Sequence, residues 1–80
     1  MKTKLFNKIN KKVKYDSLTG IIKDRDSGCI INDRMITIDG KKYHTKNIAW
    51  ILVFSDMPKI ELKYVKGNSN KISNLEGLNN

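Results

Sequence analysis

Apolar positions come in four patterns along this chain. Leu5, Ile9 and Val13 recur every four residues, with Phe6 beside them and lysines between. That spacing lines one face of an α-helix, so an amphipathic helix over Lys4–Lys12 is expected, its stripe on the core and its lysines in water. A helix lying on a membrane surface shares the pattern, but here the stripe is only a few residues wide. From Tyr15 to His44 short apolar runs alternate with turn residues. Tyr15-Asp16-Ser17-Leu18-Thr19-Gly20 reads as a turn entering a strand at Ile21-Ile22-Lys23, and Asp26-Ser27-Gly28 as a turn before Cys29-Ile30-Ile31. Asn32-Asp33-Arg34 leads into Met35-Ile36-Thr37-Ile38. Asp39-Gly40 is the clearest hairpin signal, since a type I′ turn needs positive φ at both central residues, and Lys41-Lys42-Tyr43-His44 returns as its partner. Residues 20–44 are therefore expected to form one small antiparallel meander.

The third pattern is the unbroken run Ile48-Ala49-Trp50-Ile51-Leu52-Val53-Phe54, which holds the only Trp. It is far shorter than the roughly 20 apolar residues a membrane span needs, so it is read as core. With Thr45 as a potential N-cap and Pro58 beyond it, the run predicts one buried helix over residues 46–55, covering a face of the meander. A buried strand is the alternative, because periodicity does not separate short apolar runs. The fourth pattern, Ile60-Glu61-Leu62-Lys63-Tyr64-Val65, alternates and predicts a strand. Lys66-Gly67-Asn68 then turns into a last short helix holding Ile72 and Leu75, capped by Asn68 or Ser69 and ended by Gly77 and the Asn79-Asn80 tail.

With 80 residues the chain is read as one domain, with a modest core. One Cys and one His exclude an internal disulfide and a cysteine-based zinc site. Cys29, in an apolar run, is expected to be buried and inert. Lysines without a following apolar segment at the N-terminus argue against a signal peptide, and the expected location is cytoplasmic. The formal net charge is +8, and six of the 16 basic residues but none of the 8 acidic ones lie in the first fourteen positions (Lys2, Lys4, Lys8, Lys11, Lys12 and Lys14). Such a segment attracts polyanions, nucleic acid first and anionic membrane second. A solubilising tail, or lysine enrichment from an AT-rich coding sequence, would look the same.

Groups that could do chemistry are sparse. There is no glycine-rich phosphate loop and no histidine pair. Asp24 and Asp26 offer too few oxygens for a cation, with Arg25 between them. His44 is the one candidate base, and without a partner nearby in sequence it reads better as a surface or capping residue.

An ordered set of landmarks from Tyr15 to Leu75 resembles the small phage-type HNH homing endonucleases. Tyr15-Asp16 with Thr19-Gly20 is similar to their "YD..TG", and Asp39-Gly40-Lys41-Lys42-Tyr43 to their "GKKY" hairpin. Ile48–Phe54 resembles "LAWLLVY", with Pro58 where they place a proline. Gly67-Asn68 and Lys71-Ile72-Ser73-Asn74-Leu75 resemble "NGD" and "NRISNL". The resemblance implies an α+β fold: a small antiparallel β meander packed on a central helix (15–58), behind a basic N-terminal helix or arm (1–14). A degenerate HNH-like ββα part (59–80) would follow. In the family a two-strand ribbon and a helix surround one divalent metal, and an Asp-His pair supplies a metal ligand and the general base. Those two positions fall on Lys63 and Tyr64 here. A charged lysine repels a cation, and a phenol titrating near 10 is a poor base at neutral pH. Two residues are missing between Gly67 and Lys71, leaving Ser69-Asn70, and the family's "HR" pair is Lys46-Asn47. Of the later polar landmarks only Asn74 stands unchanged. The resemblance with these departures implies a scaffold that has lost its nuclease, with no catalytic residue, no metal ligand and no cofactor.

The family grips DNA through positive charge, and the charge persists. The expected contact residues are Lys63, Tyr64 and Lys66 on the ribbon, Lys41, Lys42 and Lys46 beside it, and Lys8, Lys11 and Lys12 in the N-terminal segment. Tyr64 could stack on a base or sit at the rim of the core. Two functions follow as expectations. One is a non-catalytic, phage-derived protein binding nucleic acid, DNA ahead of RNA. The other is an anti-CRISPR or anti-restriction inhibitor that binds a host nucleic-acid-processing protein. A functionless nuclease remnant remains a third reading, no membrane partner is expected, and the small core makes a homodimer reasonable.

Overall fold

The computed structural model describes residues 3–77. Lys2 and the Asn79-Asn80 tail lie outside the described residues. The first helix, α1 (Lys4–Lys12), has the expected bounds. Thr3 caps it, its Oγ1 accepting the Phe6 N–H at 3.1 Å. Phe6 and Ile9 are buried, and Lys11 and Lys12 sit in the last turn, where the helix dipole favours cations. Val13 does not extend the helix stripe. Its N–H still bonds to Ile9 O, but its backbone is already extended and it opens a strand.

That strand, β1 (Val13–Asp16), takes up residues expected to be turn. It pairs antiparallel with β2 (Ile21–Asp24), Val13 opposite Asp24 and Asp16 opposite Ile21, and β2 pairs with the two-residue β3 (Ile30–Ile31). A separate hairpin, β4 (Met35–Ile38) with β5 (Lys41–His44), turns at Asp39-Gly40 with φ of 54° and 82°, as its sequence predicts. The expected single meander is thus two sheets. Asp33, at φ 48°, bends the chain away after β3 and breaks the ladder. Cys29 is exposed, not buried. It lies in the turn before the β3 pairing begins, with its N–H on Ser27 Oγ.

Helix α2 (Thr45–Phe54) follows β5 directly and packs against α1, β5 and the later strand β6 (Leu62–Tyr64). The helical reading of the apolar run holds, but only part of the run is core. Ile48, Ala49 and Ile51 are fully buried, whereas Val53 and Phe54 are 42% and 51% exposed. At 3.6 residues per turn, seven consecutive positions cannot all face one side. The last strand, β7 (Leu75–Gly77), pairs antiparallel with β6, after a 3-10 turn at Ile72–Asn74. The expected C-terminal helix is that single turn, and Leu75 is strand. Neither Asn68 nor Ser69 caps it: the residue before it is Lys71, and no side chain bonds there. Among the described residues no helix follows β7. One apolar cluster, with Ile9, Val13, Ile22, Ile48 and Ile51 at its fully buried centre, joins both helices to all three sheets. Among the described residues no helix is long and apolar enough to cross a membrane.

Candidate functional site

His44 sits where β5 becomes α2, and both its ring nitrogens are engaged. Nδ1 accepts the Lys46 N–H at 3.1 Å, making His44 rather than Thr45 the N-cap. Nε2 lies 3.2 Å from Asp33 Oδ1. The cap requires an unprotonated Nδ1, so the neutral ring carries its hydrogen on Nε2 and donates it to Asp33. Burial, and then Lys46, hold His44 below its ordinary value of 6.5, against the upward pull of Asp33. Neither nitrogen has a free lone pair for base chemistry, which fits the capping role read from the sequence.

Thr45, displaced from the cap, is fully buried and opens a polar network. Tyr64 OH donates to Asn70 Oδ1 at 2.7 Å, and its oxygen meets Thr45 Oγ1 at 3.2 Å. Asn70, fully buried, donates through Nδ2 to Asn32 Oδ1 at 2.5 Å, while its backbone carbonyl accepts from Tyr15 OH at 2.7 Å. Asn32 in turn reaches Asn68 at 3.3 Å. Burial pushes the Tyr64 and Tyr15 hydroxyls above their usual 10, so neither is an anion at neutral pH. Asn74 clips the loop beyond: its Oδ1 accepts the Lys66 N–H, and its Nδ2 donates to the carbonyls of Lys66 and Ser69, both at 2.9 Å. Tyr64 and Asn70, at or beside the positions where the resemblance places catalytic groups, thus share a network with every buried polar side-chain atom of the described residues satisfied. Among the described residues no three His, Cys, Asp or Glu side chains gather into a metal-binding set.

The expected contact lysines do not form one footprint. Side chains alternate along a strand, so Lys63 points away from Tyr64 and stands directly opposite Glu76 on β7. Tyr64 faces inward, half-buried, with Lys46 Nζ 5.3 Å from its ring centroid and the His44 ring at its edge. Lys66 is exposed at the loop. Lys41 shares a face of the β4–β5 hairpin with buried Ile36 and Ile38, towards α1, where Lys8 forms an ion pair with Asp39. Lys8 and Lys41 thus flank an acid, whose carboxyl Lys8 holds below the usual range. Lys11 and Lys12 are exposed at the end of α1.

Lys42 and Lys46 line one cleft. The outer face of the hairpin, carrying Met35, Lys42 and His44, forms one wall of a cleft of about 600 Å³. The first turn of α2 contributes Lys46 and Asn47, and the chain from Met57 to Leu62 closes the other side with Lys59 and Glu61. Lys59 had no signal in the sequence, because only the fold returns residues 57–62 to β5. The same segment also lines an apolar groove of about 610 Å³, with Trp50, Phe54, Met57 and Ile60 in its walls and Asp56, Lys59 and Glu76 among its lining. A scan against protein-family models and comparisons with curated proteins and with solved structures match nothing at significant similarity.

Proposed function

We propose that this chain is a non-catalytic nucleic-acid-binding protein on an HNH-derived scaffold of phage or mobile-element origin, with DNA preferred to RNA. The observation that carries the reading is the cleft, which Lys42, Lys46 and Lys59 line together beside a helix start whose first turn holds no acidic residue. Three ammonium groups against the single carboxylate of Glu61, in a chain of net charge +8, favour a phosphate backbone. His44 and Tyr64 have their polar atoms committed to the fold, which supports binding without hydrolysis. The test is incubation with supercoiled plasmid and with single-stranded DNA at low salt, with Mg²⁺, Mn²⁺ or Zn²⁺ added. Retarded but intact DNA is expected. Nicks abolished by His44→Ala would contradict it.

The second reading, an inhibitor of a host nucleic-acid-processing protein, draws on the apolar groove. Phe54, Met57 and Ile60 are each at least 41% exposed there, and adjoining exposed apolar side chains often mark protein contacts. Co-purification of one host defence protein, with no affinity for DNA, would favour it.

A further inference from the structure

Large apolar side chains stand in water around the lysines of the cleft. Met35 is 53% exposed, and Met57 and Ile60 are each 41% exposed, with Pro58 between them. A site meant only for duplex phosphates has no use for such walls, because a duplex keeps its bases stacked inside and offers its backbone outward. An unpaired nucleotide offers both a phosphate and a free π-face. Thioethers pack well on aromatic rings, and a volume of about 600 Å³ lies within the usual range for pockets that bury small ligands. Lys46 is set in advance: its ammonium is held near the Tyr64 ring, whose hydroxyl is fixed by Asn70.

We infer that this cleft is a single-strand site, taking one unpaired nucleotide with its phosphates on Lys42, Lys46 and Lys59 and its base against Met35, Met57 and Ile60. The inference rests on the nucleic-acid reading and sharpens it, since it names the strand state and the place. Glu61 in the lining disfavours a second phosphate beside it.

The test measures anisotropy of a labelled short oligothymidylate and of a labelled duplex at low salt, with each variant checked for folding by circular dichroism. Two double variants change the charge equally: Lys42→Glu with Lys59→Glu inside the cleft, and Lys11→Glu with Lys12→Glu on α1. The cleft pair is expected to weaken oligothymidylate binding by about tenfold or more relative to the helix pair. Met57→Ser is expected to weaken it about fivefold, and to weaken duplex binding less, because an unpaired base packs on that wall. Equal losses from the two pairs, or no loss with Met57→Ser, would overturn the single-strand site while leaving nucleic-acid binding standing. Failure of the unmodified protein to bind either probe would overturn both.

Discussion

Asn70 shows how a single buried amide holds the C-terminal third of the chain in place. It links Tyr64 on β6, Asn32 after β3 and Tyr15 on β1. Asn70→Ala leaves Asn32 and Tyr64, both half-buried, each short of a partner, and is expected to cost about 1–3 kcal/mol in urea denaturation. Tyr64→Phe, which removes one hydroxyl but keeps the ring under Lys46, should cost about 1 kcal/mol. His44 supplies a separate check. It is the only histidine, and its folded form binds protons less readily than its unfolded form. Between the two values the unfolded chain holds more protons, so stability rises with pH there. The His44 contribution is full above about 6.5 and is lost as pH falls below it, levelling off once the folded form also protonates. Tm against pH should show this step. His44→Asn, which keeps an acceptor for the Lys46 N–H, should erase the step without removing the cap.

Elements were legible in the sequence where one local rule sufficed. The four-residue recurrence set α1, Asp39-Gly40 set the β4–β5 hairpin, and the apolar run before Pro58 set α2. The readings failed where distant partners decide. Val13 could extend a helix stripe or start a strand, and pairing with Asp24 chose the strand. Ile72 to Leu75 could be a helical turn throughout, yet Leu75 pairs with Tyr64. The α1 segment also proves to be more than a basic arm. Ile9→Ala is expected to cost about 2–4 kcal/mol, as at any fully buried core position; a loss below about 0.5 kcal/mol, the scale of ordinary surface changes, would mean that α1 is dispensable. The β1–β2 turn gives a second test at this scale. Gly20, at φ 78°, lets the loop of Ser69, Asn70 and Lys71 lie directly on it, and a Cβ there would come within 3.0 Å of all three residues. Gly20→Ala combines left-handed strain with a clash against backbone, about 2–4 kcal/mol in sum.

At the scale of the molecule, charge is the property most open to reading and also the one most rearranged by folding. The sequence concentrates lysine at the N-terminus, but Lys8 pairs with Asp39, and Lys63 lies opposite Glu76. The lysines that line one cleft come from three separate stretches: Lys42 from β5, Lys46 from α2 and Lys59 from the chain after Pro58. No linear window contains that cluster, so composition gives the net charge and only the fold gives its placement. The most direct measurement is the affinity of the whole protein for single- and double-stranded DNA across a salt series, with and without Mg²⁺. The expected result is intact DNA and an affinity that falls linearly with salt on logarithmic axes. Neutralising the two phosphates that flank one nucleotide of a single strand would give a slope of about −1.4. No binding at low salt, or an affinity indifferent to salt, would contradict a nucleic-acid role.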